Sequence, residues 1–210
     1  MYASLDRRLV SAPLIVENTH EGWNDLGANI TLAWGRFGAD VFAINGSNCG
    51  RGQVSPDKFI ARLDIRRALG SRLHVAPRDG LELGVSSAYF RDEADDLAMI
   101  MWGGDLQASA GRFSAKGEYL VQRTDRGTAA EADNRGWYLQ GLAEFGRVFG
   151  VARYGVWDPE LTPERPERLS LGLGYVVRPG LEFRVEHDLG LTDLDDVTSL
   201  QMVMDFGGVH

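Results

Sequence analysis

Leu97-Ala-Met-Ile-Met-Trp-Gly-Gly-Asp-Leu-Gln-Ala-Ser-Ala110, Gly111-Arg112 and Phe113-Ser-Ala-Lys-Gly-Glu-Tyr-Leu-Val-Gln122 form one continuous stretch. Two long runs flank a two-residue turn that contains glycine, the spacing of a tight β-hairpin. Side chains alternate faces along a strand. One face therefore carries Ile100, Trp102, Leu106, Ala108, Phe113, Ala115, Tyr119 and Val121. The other carries Asp105, Gln107, Ser109, Ser114, Lys116, Glu118 and Gln122. A water-soluble sheet alternates too, with its apolar face on a core. Recurrence and length decide between the two cases.

The pattern recurs on both sides of this hairpin. Upstream, Ile30, Leu32 and Trp34 alternate with polar or small residues over 28–35, and a second strand covers 39–45. Ala61, Leu63 and Ile65 alternate with Arg62 and Asp64. Leu81, Leu83, Val85 and Tyr89 alternate with Glu82, Gly84, Ser86 and Ala88. Downstream, Trp137, Leu139, Gly141, Ala143 and Phe145 oppose Gln140, Leu142 and Glu144. A strand over Val148–Trp157 carries Arg153. Leu169, Leu171, Leu173 and Tyr175 oppose Arg168 and Ser170; Leu181, Phe183 and Val185 oppose Glu182, Arg184 and Glu186. Leu200, Met202, Met204 and Phe206 close the series. A short strand at Leu5–Val10 is expected before a loop around Pro13. The connection 66–80 shows no defined element, and no segment reads as a helix.

The result is an all-β chain of about eleven or twelve strands in an antiparallel up-and-down meander. Turns near 36, 111, 146 and 179 are tight; loops near 50, 93, 129, 162 and 192 are longer and polar. Short turns at one end and long loops at the other, with strands of about ten residues, describe a transmembrane β-barrel. Trp34, Phe113, Phe145, Tyr175 and Phe206 fall at strand ends beside the tight turns or the C-terminus, as one interfacial girdle. Residues 1–210 read as a single barrel domain, and an incomplete one. The last strand ends on the tight-turn side, and either pairs with residues 3–10 or stays an open edge.

Composition narrows the function. Glycine is 26 of 210 residues and the net charge is −8, which argues against nucleic acid, whose phosphates need a basic surface. The one cysteine, Cys49, excludes an intramolecular disulfide and a cysteine metal cage. The slightly negative mean hydropathy is compatible with a barrel, whose alternation averages out. His20, His74, His187 and His210 are scattered, and Glu186-His187-Asp188 has no nucleophile elbow to serve. The carboxylates of Asp92–Asp96 and Asp193–Asp196 lack calcium-loop spacing and read as solvated loop charge. No enzyme, cofactor or metal site is expected. Passage remains. Inward charges set the barrier to ions in a pore. The pore-lining candidates are Arg62, Asp64, Glu82, Asp105, Lys116, Glu118, Glu144, Arg153, Arg168, Glu182, Arg184 and Glu186. Both signs occur, which favours weak selectivity; pairing into cross-strand salt bridges is the alternative role for each.

Several segments, in order, resemble bacterial porins of the phosphate-selective O/P type. They are Arg8-Leu-Val-Ser-Ala-Pro-Leu14, Trp23-Asn-Asp-Leu-Gly27, Val41-Phe-Ala-Ile-Asn-Gly46, Gly80-Leu-Glu-Leu-Gly84, Gly103-Gly-Asp-Leu106, Lys116-Gly-Glu-Tyr119, Arg135-Gly-Trp-Tyr138, Ala152-Arg-Tyr154 and Glu167-Arg-Leu-Ser-Leu-Gly-Leu-Gly-Tyr175. The resemblance implies the C-terminal part of a larger outer-membrane barrel, in contact with outer-membrane lipid, assembled as a homotrimer and passing small hydrophilic solutes or ions. Met1-Tyr-Ala-Ser-Leu-Asp-Arg-Arg8 has no apolar core and no cleavage site, so it is not a secretory signal, and upstream sequence is expected to be missing. The negative charge and sparse inward cations do not extend the resemblance to phosphate selectivity. A non-transport surface barrel is the alternative function.

Overall fold

The computed structural model describes residues 8–19, 27–44, 68–92, 97–125, 131–192 and 194–204. They form one short helix, α1 (Leu14–Thr19), and eleven strands: β1 (Gly27–Trp34), β2 (Phe37–Ile44), β3 (Ala68–Arg78), β4 (Leu81–Asp92), β5 (Leu97–Ala110), β6 (Phe113–Asp125), β7 (Ala132–Phe145), β8 (Val148–Asp158), β9 (Glu167–Arg178), β10 (Leu181–Gly190) and β11 (Val197–Met204). Each strand pairs antiparallel with its sequence neighbour, and the sheet order is the chain order. Among the described residues the sheet does not close: β1 and β11 are its edges. Both edge strands run from the loop end to the turn end.

The hairpin that opens the sequence is present in the expected register, with Ala110 opposite Phe113, Trp102 opposite Val121 and Asp105 opposite Glu118. Its turn uses Gly111 at φ +60°, a left-handed conformation that only glycine adopts at little cost. Gly35 and Gly146 take the same first position and leave their hairpins in regular register. Gly80 and Gly180 stand second instead, after Asp79 and Pro179, and in both hairpins the register shifts beside the turn. The place of glycine in the turn thus sorts the regular hairpins from the bulged ones.

Ile100, Trp102, Tyr119, Leu171 and Phe183 all lie exposed on one face. Arg184 is buried on the other, where Glu118 stands in register with Asp105. Trp34, Phe113, Phe145 and Tyr175 are exposed on the first face near the turn end; Phe206 lies outside the described residues. The apolar groups of this sheet therefore point away from the protein interior, the reverse of a soluble sandwich.

Three expectations need correction. The connection 66–80 contains β3, where Leu69, Leu73 and Val75 alternate with Gly70, Arg72 and His74. The strand expected at 61–65 lies outside the described residues. A helix does exist: α1 starts where the Pro13 carbonyl accepts from Val16 and Glu17 N–H. Finally, Arg8–Val10 is not strand but part of an irregular segment leading into α1; within the described residues β11 pairs with β10 alone.

Candidate functional site

Residues 8–19 form a strap across the inner face of β7–β10, and the strap divides that face into two parts. At the loop end the interior is apolar. Leu14, Ile15 and Val16 of α1 pack with Phe90, Met99, Met101, Leu120, Tyr138 and Trp157. Nearer the turn end, Leu9 packs with Phe149 and Val151. The wall makes room with glycine: a side chain at Gly136 would collide with Ile15, and one at Gly172 would come within 2.5 Å of Leu9. This apolar filling was not expected from the sequence, where the inner-face residues singled out are, apart from Leu142, polar or small.

A buried polar network holds the strap down. The Glu186 carboxylate, 1% exposed, accepts from the N–H of Val10, the N–H of Ser11 at 2.9 Å and the Ser11 hydroxyl at 2.5 Å. Arg153, 2% exposed, lies 3.7 Å from Glu186 and donates to the Ser11 carbonyl at 3.1 Å and the Ser11 hydroxyl at 2.6 Å. It also donates to Ser170 Oγ at 3.2 Å, and Ser170 in turn donates to Asp188. Arg168 reaches the Ala12 carbonyl and pairs with Glu17 at 2.9 Å. Buried charges persist when paired and saturated with hydrogen bonds. Here that saturation comes from the main chain of the strap, so wall and strap satisfy each other.

At the turn end the inner face opens into a cavity of about 980 Å³. Its lining runs from Arg78 and Glu82 through Lys116 and Gln140 to Glu182 and Met204, so the sheet curls until β3 and β11 border one space. Arg8 bridges it, donating to Glu182 at 3.0 Å and Glu144 at 3.1 Å; its guanidinium also sits 4.8 Å over the Phe149 ring. Arg184 pairs with Glu182. Further round, Arg72 holds Asp105 at 2.5 Å and Glu82 at 2.7 Å.

All the described candidates, Glu82, Asp105, Lys116, Glu118, Glu144, Arg153, Arg168, Glu182, Arg184 and Glu186, therefore share the inner face. Arg62 and Asp64 lie outside the described residues. Most of these charges stand in ion pairs. Glu82, Lys116, Glu182 and Arg184 line the open part, whereas Arg153 and Glu186 lie under the strap. Sequence reasoning missed Arg8, Ser11, Glu17, Arg72 and Asp188. Arg72 was missed with its strand; the strap residues offer no periodicity to read.

No protein-family model and no curated protein sequence matches the chain. A solved structure does: a porin, superposing with a TM-score of 0.64 at 16% identity over 86% of this chain and 61% of the porin. The fold is porin-like. At that identity the likeness concerns fold alone, and the chain spans about three-fifths of the porin's length.

Proposed function

We propose that this chain forms a water-filled passage through a bacterial outer membrane, by which small hydrophilic solutes and ions diffuse without catalysis. The observation that carries the reading is the pairing of an apolar exterior with a charged cavity of about 980 Å³ bordered by β3–β7 and β9–β11. A core-forming sheet would bury its apolar face; this one buries its charges. Glu82, Asp105, Lys116, Glu118, Glu144, Arg153, Arg168, Glu182, Arg184 and Glu186 line the passage in this reading. The strap narrows it at the loop end. Because the charges are largely paired, the local field is weak, and a tight anion filter is not expected. Kinship with O/P-type porins and assembly as a homotrimer rest on the sequence resemblance alone.

The test is conductance in planar bilayers. Discrete, ohmic steps that scale with bulk salt conductivity are expected. A folded, detergent-requiring protein that never conducts would defeat the passage reading and favour a structural barrel.

A further inference from the structure

Each hairpin has one arginine at its turn, within it at Arg36, Arg112 and Arg147 and ending the preceding strand at Arg78 and Arg178, and the turns hold a single carboxylate, Asp79. None of the five has a carboxylate partner among the described residues. The opposite end is acidic, with Glu131, Asp133, Asp158, Glu160, Glu164 and Glu167. The turn end is thus a cationic rim on an acidic chain.

One of these arginines, Arg112, reaches the aromatic pair at the turn end of an apolar groove on the outer face, and Arg147 stands in the adjacent turn. The Arg112 guanidinium lies 5.9 Å from the centre of the outward Phe145 ring, and Phe145 meets Phe113 edge to face at 6.3 Å. The next turn, Gly146-Arg147, is bound to this one through the Glu144 N–H and the Arg112 carbonyl at 2.9 Å. Beyond the phenylalanines the face sinks into a depression of about 680 Å³, with Leu171 and Leu173 along one side. Its floor is the cross-strand pairs Gly141–Ala152 and Ala143–Gly150. A Cβ placed on Gly141 meets no atom within 4 Å, so the floor is open. A floor two strands wide is roughly 5 Å across, the width of one hydrocarbon chain.

We propose that this groove and its two arginines bind an anionic phospholipid. The headgroup phosphate sits between Arg112 and Arg147, and one acyl chain runs over Gly141 and Ala152. Guanidinium matches phosphate in geometry and charge, and the groove, whose lining is mostly apolar, removes the chain from its neighbours. The proposal rests on the reading that the outer face meets a bilayer; it does not depend on solute passage.

Native mass spectrometry of the full chain released from detergent micelles tests it, with dioleoyl phosphatidylglycerol and dioleoyl phosphatidylcholine as probes. Phosphatidylglycerol adducts should outnumber phosphatidylcholine adducts by roughly tenfold or more, given about fivefold per arginine near an anionic headgroup. Arg112→Gln with Arg147→Gln should abolish that preference and leave conductance unchanged. Gly141→Leu, which fills open space, should reduce retention of both lipids. Equal retention by the unaltered chain, a preference that survives loss of both arginines, or a doubled mass dependent on Gly141 each overturns the site. Failure of the lipid preference in a protein that still conducts overturns this site alone. A chain that stays monodisperse without detergent removes the membrane reading beneath it.

Discussion

Removing the Glu186 carboxylate takes an acceptor from two main-chain N–H groups and a counter-charge from Arg153, 3.7 Å away. Breaking a buried pair by deleting one partner costs about 3–5 kcal/mol. Glu186→Ala is therefore expected to lower stability by that order in urea unfolding followed by tryptophan fluorescence, and to raise mean conductance as the strap lifts. Unchanged conductance with lowered stability would mean that the strap stays seated without this anchor. Arg72 poses the opposite case, a cation facing two acids, Asp105 and Glu82. Arg72→Ala leaves both carboxylates facing the cavity, so the reversal potential in a potassium chloride gradient should move toward cation selectivity. A shift toward anions would contradict the inward placement of these three groups.

At the level of elements, the strap and the turns separate cleanly in their expected behaviour. Gly172→Leu puts bulk where Leu9 packs, so it should lift the strap, increase conductance and expose residues 8–19 to protease. Gly111→Ala is the contrasting change: its Cβ meets nothing within 4 Å, and only the φ of +60° resists it. A cost of about 1–2 kcal/mol is expected, with conductance unaltered. Much of this layer was legible beforehand. Parity within β4–β7, β9 and β10 follows from two-residue periodicity, because a one-residue slip would turn every leucine and tryptophan inward. β3 was missed although Leu69, Ser71 and Leu73 alternate with Gly70, Arg72 and His74, because Pro77, which lies within the strand, reads as the start of a turn. α1 could not be read at all. Leu-Ile-Val-Glu-Asn-Thr is too short for helical periodicity and its branched residues favour strand; it is helical because Ile15 finds a gap over Gly136. The described candidate residues share one face of the sheet, as their parity implies, but their partners in the strap depend on tertiary contacts that sequence spacing does not contain. The inward carboxylates of Glu186 and Asp188, close together on one strand, were the available hint that something must cover them.

For the molecule as a whole, the exposed apolar groups form a band rather than scattered points: Leu32, Leu73, Val85, Trp102, Leu139, Leu173 and Val185 lie across successive strands. A soluble monomer does not carry a patch of that extent. The expressed chain should aggregate without detergent and disperse with it; light scattering that found a detergent-free monomer would refute the membrane assignment. Fold and sidedness were visible in the alternation of tight turns with longer loops. Whether the sheet meets itself was not, since closure depends on the accumulated curl of eleven strands, and no local stretch encodes that sum.

Among the described residues the sheet has two free edges, and these are vectors as well as rows of unpaired amides. The described meander has eleven strands, an odd number, so β1 and β11 point the same way, and in the proposed bilayer they do so along the membrane normal. A bilayer fixes that sense for every copy inserted by the same route. Edges of like-oriented copies can therefore meet only in parallel, the slightly weaker pairing, while an antiparallel cap on either edge must come from a strand running from the turn end to the loop end. The membrane acts as a polariser: it admits partners by direction of travel before any side chain is consulted.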